Sequence, residues 1–204
     1  PRKFGKGKPG EVHQLFLELK LLADVGIIGF PNAGKSTLIS RISNARPKVA
    51  GYPFTTLVPN LGIVRLEEGE SFVAADIPGL IEGAHIGKGL GHQFLRHIER
   101  TKLLLHLVDF SDVEFENILD RYQKLQIELK AFSESLFKKP QIMVATKMDD
   151  PQSIENLGKL TESLNQMNLL VFSISSVTGE GVEKLLWKIK ECLAADKIDD
   201  EAEF

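Results

Sequence analysis

Apolar positions along this chain follow two rhythms in alternation. Largely apolar runs of about six residues stand at Val25–Phe30, Leu103–Val108, Gln141–Ala145 and Leu169–Ile174, and short runs of this kind predict strands covered on both faces. Between them the spacing changes to that of a helix. It does so at Leu38, Ile39 and Ile42, through about Glu114–Phe132, through about Ile154–Met167, and from Glu180 to Leu193, where Val182, Leu185, Leu186, Ile189 and Leu193 share a face. Leu61–Leu66 and Ser71–Ala75, joined by Glu67-Glu-Gly-Glu70, predict a hairpin. Leu15, Leu17 and Leu19 fall on one face at period two with Gln14, Glu18 and Lys20 on the other, which predicts a further strand leading into the domain, and Phe94, Leu95 and Ile98 predict a helix after a glycine-rich loop. The expected fold is α/β: a mostly parallel six-stranded sheet with one antiparallel edge strand and helices on both faces.

In such sheets ligands bind at the carboxyl ends of the strands, and the distinctive residues of this chain fall there. Gly29, Phe30, Pro31, Asn32, Ala33, Gly34, Lys35, Ser36 and Thr37 fit the pattern G-x-x-x-x-G-K-[ST], with a strand before it and a helix after. Glycines let consecutive backbone N–H groups face phosphate oxygens, Lys35 reaches the outer phosphates, Ser36 offers a hydroxyl to Mg²⁺, and the helix dipole adds a positive end. Asp76 ends the next strand, before Ile77, Pro78 and Gly79. Its carboxylate suits the Mg²⁺ hydration shell, while the Gly79 N–H suits a γ-phosphate. The stretch Ala45–Asn60 holds Pro47, Gly51, Pro53 and Pro59, too many breakers for a regular element, and reads as a mobile loop. Within it Thr56 would reach the same metal only when a γ-phosphate draws the loop in, with Phe54 and Thr55 beside it. Lys35, Thr56 and Gly79 are therefore the expected catalytic set, and Ser36, Thr56 and Asp76 the metal set.

Two further strand ends address the base. A carboxylate at Asp149 accepts two hydrogen bonds from the N1–H and the 2-amino group of guanine, which adenine does not offer. Lys147 lays its stem along the ring, Thr146 precedes it, and the backbone of Ser175, Ser176 and Val177 meets the guanine O6. GTP and GDP are the expected ligands.

Composition narrows the setting. The chain has 204 residues, 43% of them hydrophobic, and a formal charge of −3, which fits one globular domain and argues against a nucleic-acid binder along its whole length. A lone cysteine, Cys192, permits no internal disulfide and suits a reducing, cytoplasmic compartment; its expected role is helix packing. No apolar run is long enough to span a bilayer, so no integral membrane association is expected. Arg2, Lys3, Lys6 and Lys8 lie among glycines after Pro1, which reads as a solvated cut end of a longer protein. Residues 196–204 carry five acids against one lysine and read as a disordered tail.

The motifs Gly29-Phe-Pro-Asn-Ala-Gly-Lys-Ser36, Tyr52-Pro-Phe-Thr-Thr-Leu-Val-Pro-Asn-Leu-Gly62, Asp76-Ile-Pro-Gly-Leu-Ile-Glu-Gly-Ala84 and Gly89-Leu-Gly-His-Gln-Phe-Leu-Arg-His-Ile-Glu-Arg100 resemble those of the Obg family of GTPases, within the translation-factor-related class. Leu17-Glu-Leu-Lys-Leu-Leu-Ala-Asp-Val-Gly26 is similar to that family's domain junction. The resemblance implies a P-loop NTPase G domain over residues 21–195. It implies a linker over residues 1–20 from a glycine-rich N-terminal domain, work on the large ribosomal subunit during its assembly, and a link to the stringent response through guanosine tetraphosphate in the same pocket. A monomer is expected. One departure is Thr146, where the family more often has Asn. Another concerns the attacking water: many small GTPases place a glutamine after the Asp-x-x-Gly glycine, and here Leu80 stands there. Asn32 resembles the asparagine by which potassium-activated relatives hold K⁺, so K⁺ is a candidate cofactor; the other reading of Asn32 is a turn cap. A slow GTPase and a nucleotide-gated binding module timed by a partner both stay open.

Overall fold

The structure, a computed structural model, describes residues 23–43, 48–49, 60–66, 69–77, 99, 101–112, 116–167 and 169–202. In chain order the elements are β1 (Val25–Gly29), α1 (Lys35–Ile42), β2 (Lys48–Val49), β3 (Asn60–Arg65), β4 (Ser71–Asp76), β5 (Leu103–Asp109), α2 (Glu116–Phe132), α3 (Glu134–Phe137), β6 (Gln141–Thr146), α4 (Pro151–Gln166), β7 (Val171–Ser173) and α5 (Val182–Ala202). The strands form one sheet in the order β2-β3-β4-β1-β5-β6-β7.

The expected pattern holds, with one addition. β4, β1, β5, β6 and β7 pair in parallel, and β3 runs against β4 as the second arm of the hairpin. The two-residue β2 adds a seventh strand outside β3, within the stretch read from its prolines as a loop. The expected strand within residues 11–20 and the helix at Phe94–Ile98 lie outside the described residues.

β1 and β5 are central, and nearly every residue in them is buried, which is why they read as largely apolar runs. Their side chains divide between two cores. Val25, Ile27, Leu103, Leu105 and Leu107 join Leu38, Ile39 and Ile42 of α1 and Leu185 and Ile189 of α5 on one face. On the other face, Ile28 and Leu104 meet Leu125 and Leu129 of α2 and Leu136 of α3. Val108, Met143 and Ala145 meet Tyr122 of α2 and Leu160 and Leu164 of α4. Cys192 packs half-buried at the margin of the first core, the packing role expected of it.

Local signals explain where the elements start and stop. Asp150 caps α4, its carboxylate accepting from the Gln152 N–H at 2.9 Å, with Pro151 in the first turn, the arrangement that suits a helix start. The one-turn helix α3 was not expected; Ser133 accepts from the Leu136 N–H and founds it. α5 corrects the disordered-tail reading, for the helix continues through the acidic stretch to Ala202. No proline or glycine follows Gly181 to stop it, and Ala194 and Ala195 favour continuation. Among the described residues no helix is long and apolar enough to cross a membrane.

Candidate nucleotide-binding site

The order of strands reverses at β1, which has β4 on one side and β5 on the other. The crevice expected at such a switch point opens at the carboxyl end of β1, where residues 29–36 turn into α1. Gly34 caps α1 with φ 90°, a left-handed conformation that glycine adopts without strain. Asn32 also has positive φ, 63°, a position asparagine tolerates better than most residues, and it is exposed.

Lys35 lies across this loop, its Nζ donating to the carbonyls of Gly29 at 2.8 Å and Phe30 at 3.1 Å. Burial lowers its pKa, and the Asp76 carboxylate opposes that shift. A desolvated ammonium so placed is suited to an anion. Asp76 is buried at the end of β4, and burial raises its pKa against the opposing effects of Lys35, Ser36 and Asn60. Ser36 Oγ donates to Asp76 Oδ2 at 3.4 Å, while Asp76 Oδ1 is buried with no hydrogen-bond partner. An orphaned carboxylate oxygen beside a hydroxyl fits a hydrated Mg²⁺. Among the described residues no group of three or more His, Cys, Asp or Glu side chains could cage a metal; Mg²⁺ commonly binds through one or two carboxylates with waters and substrate phosphates.

The base-directed residues come from the ends of β6 and β7. Thr146 is buried, its Oγ1 2.9 Å from the Ala33 carbonyl and 3.1 Å from that of Val108. It thus ties the end of β6 to the phosphate loop. Lys147, with φ 61°, pairs its Nζ with Asp109 Oδ2 at 2.6 Å. Asp149 Oδ1 accepts from Ser175 Oγ at 2.6 Å, so the carboxylate is held before it meets any base. The Ser175 hydroxyl accepts in turn from the Thr178 N–H at 3.1 Å. Ser176 Oγ is buried without a partner and Val177 is exposed. Phe54, Thr55, Thr56 and Gly79, with Leu80, lie outside the described residues.

Several supporting residues carried no signal strong enough to find by pattern. Asp109 ends β5; its Oδ1 accepts from the Ser111 N–H at 2.9 Å and hydroxyl at 2.7 Å, leaving Oδ2 for Lys147. Those bonds hold the Asp109 carboxyl below its usual pKa against the upward pull of burial, which is the largest single effect on it. An acid at a strand end two residues before a serine is the one local hint of this turn. Asn156 of α4, fully buried, donates to the carbonyls of Phe110 at 2.9 Å and Asp112 at 2.7 Å and so fixes the same loop. A cavity of about 400 Å³ adjoins this loop, bounded by Phe30, Asn32, Asp109, Arg121, Tyr122 and Lys147.

The family model described as 50S ribosome-binding GTPase matches residues 24–147. A curated relative from Desulfitobacterium hafniense, GTPase Obg, is 57% identical over 187 residues, covering 92% of this chain and 44% of the relative. GTPase Obg from Solibacter usitatus is 58% identical over 188 residues, covering 91% and 55%. The chain thus spans about half the length of these relatives. Among solved structures, the G domain of the T. maritima FeoB iron transporter superposes with a TM-score of 0.59 at 24% identity, covering 82% of this chain and 96% of that one, which is likeness of fold.

Proposed function

Because the chain belongs to the 50S ribosome-binding GTPase family, with Obg GTPases as its curated relatives, we propose that it is a guanine-nucleotide switch that binds GTP with Mg²⁺ and hydrolyses it slowly. The observation that carries this reading is the pairing of two constraints at one strand end. Thr146 ties β6 to the phosphate loop, and three residues on, Asp149 is held by Ser175 at 2.6 Å. A carboxylate fixed at a set distance from a phosphate cradle is suited to guanine, whose N1–H and 2-amino group are both donors.

Each part of the site has a task in this reading. The backbone of residues 31–35 and the α1 amino terminus bind the phosphates, and Lys35 neutralises charge on the outer ones. Ser36 and Asp76, joined by Thr56, would hold Mg²⁺, which supplies charge neutralisation on the phosphate oxygens. Asp109 fixes Lys147 so that its stem can cover one face of the base. The Gly79 N–H and Thr56 respond to the γ-phosphate and couple its presence to their loops. Leu80 has no group with which to orient water, which supports turnover on the order of 10⁻⁴–10⁻³ per second without an activator.

The wider reading is a cytoplasmic monomer that, in the full-length protein, acts on the large ribosomal subunit and also takes guanosine tetraphosphate into this pocket. The family's description as 50S ribosome-binding GTPase supports the ribosomal part; the rest extends the resemblance of the motifs. K⁺ beside Asn32 belongs to the same proposal and would add positive charge between the phosphates.

Substitution of Asp149 by Asn tests the central claim. The amide keeps an acceptor for Ser175 but presents a donor where guanine also presents one. Asp149→Asn is expected to weaken GDP by about 100-fold or more and to tighten xanthosine diphosphate, whose C2 carbonyl accepts. Unchanged preference in competition titrations would remove Asp149 from the base site.

A further inference from the structure

Arg41 stands in the last turn of α1 and is exposed, where a helix residue would ordinarily face solvent. Its Nη2 donates instead to the Thr178 carbonyl at 2.9 Å, 137 residues away. Thr178 belongs to the turn that follows β7. The Thr178 N–H donates to Ser175 Oγ, the Gly179 N–H donates to the Ser175 carbonyl at 2.8 Å, and the Ser175 N–H donates to the Glu180 carbonyl at 3.0 Å. Ser175 Oγ is the group that holds Asp149. One face of Thr178 therefore serves the base-reading carboxylate, and the other is gripped from α1.

Gly179 shows how closely the guanidinium is seated. A Cβ there would meet Arg41 Nη2, the movable end of its side chain, while φ at this residue, +92°, is itself a conformation that favours glycine. α1 carries Lys35 and Ser36 in its first turn and Arg41 six residues on, about 9 Å along the axis at 1.5 Å per residue. One helix thus joins the 29–34 loop at one end, through Lys35, to the 175–179 turn at the other, through Arg41.

We infer that Arg41 is a positioning residue for guanine selection, setting the 175–179 turn against Asp149 through Thr178 without touching the nucleotide. The inference rests on the guanine-binding reading above and extends it to a residue outside the motifs. Its signature is selectivity by part of the ligand: the base should lose affinity while the phosphates do not.

The test uses the whole chain with Mg²⁺, displacing a fluorescent GDP analogue with GDP, ADP or inorganic tripolyphosphate. Arg41→Ala is expected to raise the GDP dissociation constant about five- to tenfold, chiefly through faster dissociation, and to leave tripolyphosphate within twofold. Arg41→Gln, which keeps an N–H donor, should recover most of the GDP affinity. Equal weakening of GDP and tripolyphosphate, or no change in either, would overturn the inference. A wild-type chain that bound ADP as well as GDP would fell the guanine reading itself, before any variant was compared, and this inference with it.

Discussion

Thr146 has one hydroxyl proton and two carbonyls within reach of it, Ala33 at 2.9 Å and Val108 at 3.1 Å. Only one can be served fully at a time, so the tie between the base-binding strand and the phosphate loop is partial. An asparagine amide brings two donors and an acceptor. Thr146→Asn is therefore expected to tighten GDP by roughly three- to tenfold, about one net hydrogen bond, and equal dissociation constants for the two proteins would refute the argument. This scale is also where the sequence was most informative. Lys35, Ser36, Asp76 and Asp149 are legible because each lies in a short motif whose spacing is set by the ligand. Asp109, Arg41 and Asn156 are not, because their partners lie 38, 137 and 44 to 46 residues away. Such contacts are created by the fold, and no local pattern announces them.

At the level of elements, β5 places one polar residue inside an otherwise apolar strand. His106 lies between Leu105 and Leu107 in sequence but faces the other core with Leu104 and Val108. It stacks on Tyr122 of α2 with ring centroids 4.6 Å apart, and its Nδ1 is 3.2 Å from Gln126 Nε2. The Gln126 amide donates there only to an unprotonated nitrogen. Burial pushes the His106 pKa down to about 3, so the folded chain keeps the ring neutral while the unfolded chain binds a proton below about pH 6.5. The stabilisation is complete above pH 6.5 and is lost as pH falls toward 3, at up to about 1.4 kcal/mol per pH unit. His106→Asn retains a polar side chain without the titration. Between pH 7.5 and 5.0 the wild type should lose about 2 kcal/mol more than this variant in urea unfolding; a difference independent of pH would mean that His106 titrates normally. The strand itself was legible as a buried run. Its one histidine had no readable role, because only α2 supplies the aromatic and amide neighbours that fix its state. Element ends were less legible for similar reasons: the Ser133 cap and the extension of α5 to Ala202 depend on single capping groups and on the absence of a stop signal.

Across the whole molecule, the candidate nucleotide site draws on the ends of β1, β4, β6 and β7 and on α1, all within about half the length of the curated relatives. If those parts suffice for chemistry, the chain should turn over GTP alone, and the remaining question is what stabilises the charge that develops between the β- and γ-phosphates. Leu80 offers no hydrogen bond. Lys35 is one cation in place, and Arg41 is committed to Thr178. Asn32 is exposed at the tip of the phosphate loop, and its side-chain amide carries an oxygen of the kind that binds a monovalent ion. Steady-state hydrolysis in KCl is therefore expected to exceed that in NaCl at equal ionic strength, with the excess weakened or lost in Asn32→Asp. Equal slow rates in both salts would assign Asn32 to the turn alone. They would also make the chain a nucleotide-gated module whose timing group must come from a partner, since in phosphoryl transfer a missing positive charge is commonly supplied in trans and changes the rate by about 10³–10⁵-fold.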